Sequence, residues 1–313
     1  MNHTRLTIDC DVTSQFTGAY LRVAGDECAF IETHTSHAVP KLLSALATAG
    51  KRPEDVRWVV VTHAHLDHAA GASAMMSACP NAVLLAHPRA ARHLIDPAKL
   101  ITGATAVYGE ARFKQLYGSI DPIPAARVRS LEDQAGFELG DARLRVLHTA
   151  GHANHHFVIH DPALNCVYTG DSFGLVYPAL QKHGRFAMAS TSPTNFNAPE
   201  ARRSVERIVG LGAAWACLTH FDAYPDVAAI GEQVTAWVDR AEAWVDEAAQ
   251  GDEPLEAMTA RLAKAWRAAV ATESERRGLG FGEAEYRVLA LDLELNAQGL
   301  AYVANERRQE RSS

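Results

Sequence analysis

Thr62-His63-Ala64-His65-Leu66-Asp67-His68 sets four potential metal ligands within six residues, directly behind the apolar run Trp58-Val59-Val60-Val61. Side chains two apart in an extended chain point to the same side, so His63, His65 and an extended Asp67 can converge. His68 joins them only if the chain turns there. The Ala/Gly/Met-rich stretch Ala69–Ala78 predicts a helix, with Asp67 or His68 in its first turn. A strand end followed by a helix start is a suitable cradle for a cation. Imidazole suits zinc and iron, and carboxylate adds hard oxygen and negative charge. The chain has 15 histidines, so a lone His-x-His is more often a surface or core pair. Four ligand-type residues at one strand-to-helix junction point instead to metal.

The elements that must position these residues can be traced along the chain. Residues 6–12, 19–24 and 28–33 predict strands, with Gly25-Asp26-Glu27 as a hairpin turn. A helix follows Ser36 and ends near Gly50, with Pro40 in its first turns. Trp58–Val61, Ala82–Ala86, Leu144–His148, Phe157–His160, Cys166–Thr169 and Trp215–Leu218 are further strands. Residues 98–118 predict an irregular helical segment, and 172–198 a long loop of the kind that often carries function. A helix opens at Pro199-Glu200 and runs to about Val209. Beyond Asp226, helices are expected at about 227–249, 254–276 and 283–309, with Val234, Trp237, Val238, Ala241, Trp244 and Val245 as a core or dimer-facing stripe. Paired strands with interspersed helices indicate an α/β sandwich.

At 313 residues and 48% hydrophobic composition, the chain can bury a large core. Its net charge of −7, with no basic block, gives no footprint for nucleic acid. No apolar run is long enough to span a bilayer, and the N-terminus does not resemble a signal peptide. Five scattered cysteines without Cys-x-x-Cys are expected to be reduced and buried, in a cytoplasmic protein.

The spacing Thr-His-x-His-x-Asp-His resembles the signature of the metallo-β-lactamase-fold hydrolase superfamily, which includes glyoxalase II-like enzymes. Three more ligands belong to that pattern, each after a strand. Here Gly151-His152 supplies the first, Gly170-Asp171 the second and Leu218-Thr219-His220 the third, in the expected order. The resemblance covers about residues 6–225. It implies a metallo-β-lactamase-type αββα sandwich over 1–225 and a C-terminal helical extension over 226–313, for which a capping and homodimerising role is expected.

The resemblance also implies two divalent metal ions, expected to be zinc, with iron or manganese as alternatives. His63, His65 and His152 would hold one, Asp67, His68 and His220 the other, and Asp171 would bridge them with a hydroxide. Five neutral histidines and two carboxylates leave net positive charge on such a pair, which favours a small anionic or acyl substrate. The mechanism implied has the bridging hydroxide attack an ester, thioester or lactone carbonyl, with Asp67 orienting it as the catalytic residue. His156 fits a supporting position behind the ligands, and Glu32 fits either such a position or ordinary turn hydrogen bonding. His148 is as consistent with packing, His155 and His160 are expected at the surface, and His183 is a minor candidate for substrate contact.

Departures from the pattern narrow the branch. Metallo-β-lactamases typically carry cysteine or another residue where this chain has Asp171, so β-lactamase activity is not expected. Flavin di-iron relatives usually have glutamate at the position of His65. Quorum-signal lactonases usually have tyrosine just after the bridging aspartate, where Ser172-Phe173 stands here. The helical C-terminus lacks the basic cluster that glutathione recognition by glyoxalase II would need. A phosphodiesterase, a mononuclear iron enzyme of the persulfide dioxygenase type and a non-catalytic metal-binding protein are the alternatives.

Overall fold

In the computed structural model, residues 3–10, 15–191 and 194–312 are described. Asp11 and Val12 of the expected first strand, and Ser192 and Pro193 of the long loop, lie outside them. The chain forms two compact units that interleave in sequence. One is drawn from Met1–His148, His155–Gly170 and Leu211–Pro225, the other from Thr149–Asn154, Asp171–Gly210 and Asp226–Ser313. The division expected from the sequence is a single cut after residue 225.

The first unit holds two six-stranded sheets. One contains β1 (His3–Asp9), β2 (Gly18–Ala24), β3 (Glu27–Ile31), β4 (Val56–Val60), β5 (Val83–Ala86) and β6 (Val128–Ser130), in that order. Its first three strands pair antiparallel, and β3 to β6 run parallel. The other contains β7 (Gly136–Leu139), β8 (Ala142–His148), β9 (Phe157–Asp161), β10 (Cys166–Gly170), β11 (Trp215–Leu218) and β12 (Asp222–Tyr224). Tyr20, Ile31, Trp58, Val60 and Leu85 meet Phe137, Leu144, Val146, Phe157 and Tyr168 between the sheets. Strand β2 is buried along its whole length, including Arg22, whose Nε lies 2.5 Å from the buried Asp161 carboxylate on β9. Each charge there makes the other tolerable in the interior.

The outer face of the first sheet is covered by helices α1 (Val39–Thr48), α2 (Leu66–Ala69), α3 (Ala72–Ala78) and α4 (Pro88–Ile95). Leu42, Leu46, Met75 and Leu94 pack there on Leu21, Phe30, Val59 and Leu84. The helix expected over 69–78 starts earlier and breaks near Gly71. A Cβ at Gly71 would stand 2.6 Å from the Thr33 carbonyl oxygen and 2.7 Å from that of Thr35, so only glycine lets the chain pass. The irregular segment 98–118 is two helices, α5 (Ala98–Tyr108) and α6 (Glu110–Tyr117), divided at Gly109 with φ +75°.

The second unit contains α7 (Ala198–Val209), α8 (Val227–Gln250), α9 (Leu255–Arg277) and α10 (Glu283–Ser312). Trp237 stacks on Trp266 at 5.3 Å, and Trp244 meets Trp266 edge-on at 5.1 Å, so the tryptophan stripe is core. The long loop is tied to α10. Asn296 accepts from the Thr191 amide at 2.7 Å and donates to the Ala189 carbonyl at 3.0 Å. Among the described residues, no helix is long and apolar enough to cross a membrane. Among the described residues, the five cysteines are buried and none forms a disulfide.

Candidate metal centre

Parallel strands bring their carboxyl ends to one edge of the first sheet, and ligand-type residues collect there. Strand β4 delivers His63 three residues after its end, β3 delivers Glu32 and β5 delivers His87. The turn that His68 requires is supplied by α2, whose N-cap is His65. Asp67 and His68 therefore stand in its first turn, as the sequence indicates.

Within the first unit, His63, His65, Asp67, His68 and His220 are gathered. The His63 ring lies 4.4 Å from that of His65 and 4.1 Å from that of His68. Asp67, His68 and His220 offer ligand atoms all within 4.8 Å of one another. The Asp67 Oδ2 is 3.5 Å from His68 Nε2 and 3.4 Å from His220 Nε2. Two ligands about 2.1 Å from one tetrahedral zinc-class ion stand about 3.4 Å apart. These separations are long for hydrogen bonds and match that edge, so the donor set fits a divalent cation of this class.

His152 and Asp171 belong to the second unit, and there His152 Nε2 lies 3.5 Å from Asp171 Oδ2. That is the same edge length. Asp171 follows Gly170 of β10 directly in the chain.

The other nitrogen of several of these histidines is engaged, which is how proteins commonly fix the tautomer of a metal ligand. His68 Nδ1 lies 3.4 Å from Glu32 Oε1, which also accepts from the Thr62 amide at 3.3 Å. Glu32 is held for this in the left-handed region, with φ +68°. That conformation costs a non-glycine residue about 1 kcal/mol or more. His63 Nδ1 lies 3.0 Å from the Thr62 hydroxyl, and His152 Nδ1 lies 3.2 Å from that of Ser190. Glu32 thus faces both His68 and the Thr62 amide. The parts of Thr62 and Ser190 were not legible, because hydroxyls are too common for sequence alone to single out.

His156 is buried and its ring lies 4.8 Å from that of His63. A Cβ at Gly170, where φ is +48°, would stand 2.4 Å from His156 Nε2 and 2.5 Å from the Thr62 hydroxyl. The glycine of the Gly-Asp pair is thus needed to let these groups close up. His155 is half-buried rather than simply at the surface, and its Nδ1 accepts from the Ala64 amide at 3.4 Å. His148 packs against His87, ring to ring at 4.1 Å.

Burial opposes charge on the Asp67 carboxyl, but His68 and His220 beside it outweigh burial and hold it well below the usual carboxylate range. Asp67 is therefore an anion at neutral pH, and its side chain keeps 44% exposure. A carboxylate that is both charged and reachable can act on a substrate or solvent molecule as well as on a cation.

A sequence model of the metallo-beta-lactamase superfamily matches residues 16–220. No curated protein matches the chain. Among solved structures, a metallo-beta-lactamase superfamily protein from the archaeon Sulfolobus tokodaii aligns with a TM-score of 0.65 at 17% identity, over 96% of this chain and 99% of that one. A metallo-beta-lactamase family protein from Thermus thermophilus aligns with a TM-score of 0.60 at 20% identity, over 98% and 94%. A B3 metallo-beta-lactamase with an active-site glutamic acid gives 0.53 at 18% identity, over 75% and 86%.

Proposed function

The chain belongs to the metallo-beta-lactamase superfamily, and from that premise we propose that it is a dinuclear metal-dependent hydrolase of esters, thioesters or lactones. In this proposal His63, His65 and His152 would hold one metal, Asp67, His68 and His220 the other, and Asp171 would serve both. The observation that carries it is the 3.4 Å and 3.5 Å separation of Asp67 from His220 and His68, the edge of a cation site. Bound metals of this class supply a hydroxide at neutral pH and polarise a substrate oxygen.

The protein's own residues do the rest. Glu32 and Thr62 keep the imidazoles of His68 and His63 in the tautomers that present Nε2. Asp67, ionised and partly exposed, would orient the attacking water. Neutral imidazoles leave the site short of negative charge, which favours a substrate that is anionic or becomes so at its carbonyl oxygen.

The test is Asp171→Ala. Loss of bound metal together with loss of ester hydrolysis is expected, since this residue is assigned to both ions. Full metal content with full turnover would overturn the assignment.

A further inference from the structure

Helix α5 is largely apolar (Ala98-Lys99-Leu100-Ile101-Thr102-Gly103-Ala104-Thr105-Ala106-Val107-Tyr108), yet none of its described side chains is fully buried. A helix of that composition ordinarily hides one face in a core. Here Leu100 packs against the core outside the first sheet, while Ile101 and Ala104 are half-covered and Tyr108 remains 42% exposed. Helix α6 is anchored by Phe113, which is buried and lies 5.4 Å from the Tyr117 ring. Tyr108 and Tyr117 stand 6.0 Å apart, ring to ring, across the hairpin.

The hairpin is fastened to the loop that frames the metal ligands. The Ser36 hydroxyl donates to the Tyr117 carbonyl at 3.0 Å, and His37 Nε2 lies 3.4 Å from the Lys114 carbonyl. Three residues before Ser36, the amide and hydroxyl of Thr33 both donate to the His68 carbonyl at 2.9 Å. Beyond α6, the Asp121 amide donates to Ser73 on α3 at 3.1 Å. Burial raises the Tyr117 phenol, with further upward contributions from Tyr108, which also hydrogen-bonds it, and from the Asp67 carboxylate.

We infer that the α5–α6 hairpin is the acyl-recognition wall of this site. Its half-covered apolar face takes an aliphatic or aromatic acyl group, and the Tyr108–Tyr117 pair orients the substrate by hydrogen bonding. This rests on the hydrolase function proposed above and names its substrate class: apolar acyl esters or lactones, not small polar thioesters. A half-covered apolar face beside polar anchors, next to clustered metal ligands, has the make-up of a ligand site.

The experiment uses the metal-loaded full chain with p-nitrophenyl esters from acetyl to decanoyl, and calorimetric binding of octanoate against acetate. The expected result is kcat/KM rising about tenfold or more from acetyl to octanoyl, mostly through KM, with octanoate binding tighter than acetate by a similar factor. Tyr108→Ala, an exposed site where the fold has little to lose, should remove both preferences while metal content stays unchanged. Tyr117→Phe, which keeps the ring, should raise KM for every ester. Equal treatment of acetyl and octanoyl, or a Tyr108→Ala variant that keeps the preference, overturns the wall. So does a Tyr108→Ala variant whose only change is dissociation of an oligomer in light scattering. Octanoate selectivity that Tyr108→Ala abolishes, without hydrolysis of any ester, would sustain the wall and sink the hydrolase function.

Discussion

Asp67 keeps 44% of its side chain exposed, so trimming it removes charge and ligation with little packing. Asp67→Ala is expected to melt within about 1 kcal/mol of the parent, to bind less metal and to lose about 10²–10⁴-fold in hydrolysis. A variant that folds and keeps its turnover would remove Asp67 from the mechanism. The candidate ligands were legible in the sequence because ligand chemistry allows few residue types and strand-to-helix geometry fixes their spacing. Their supports were only partly so. Glu32 could be picked out because it is an acid after a strand, whereas Thr62 and Ser190 act through hydroxyls whose neighbours only folding reveals. The half-buried state of His155 was likewise invisible, since it depends on the Ala64 amide 91 positions away.

At the scale of single elements, α4 carries a pH-sensitive start. His87 Nδ1 accepts from the Arg89 amide at 3.0 Å as the helix N-cap, which a protonated ring nitrogen cannot do. Burial, with His148, His155 and Arg89 nearby, lowers His87 from 6.5 to about 3. Between those values the unfolded chain takes up a proton that the folded chain refuses. Its contribution to stability is therefore complete above about pH 6.5 and is lost as the pH falls toward 3. Denaturant titrations at pH 7 and pH 4 should show that loss, and His87→Asn, which keeps an acceptor at the cap, should flatten it. An unchanged pH slope in the variant would contradict the assignment. Helices and hydrophobic strands were legible because their periodicity is strong. Strands β6, β7 and β12 were not, being three or four residues long, with several exposed or half-buried positions. The single helix expected over 69–78 is interrupted near Gly71, where only glycine clears the backbone of Thr33 and Thr35, a contact between distant segments.

For the whole molecule, the large apolar core between and outside the sheets predicts that metal is needed for activity and not for folding. Chelation should abolish hydrolysis while circular dichroism stays native, and unfolding on chelation would point to a structural metal. The α/β sandwich and helical extension were legible from the motif order. The interleaving of the two compact units was not, because it depends on which segments pack together after folding. For the extension we keep the proposal of a homodimer, for which light scattering at twice the 33.9 kDa chain mass is expected and the single-chain mass would be contrary. The most direct test of the central claim is metal analysis of the purified protein paired with a screen of esters, thioesters, lactones and phosphodiesters. Two zinc-class ions per chain with turnover of an acyl substrate is the predicted result. One iron per chain with hydrolysis of none of them would contradict it.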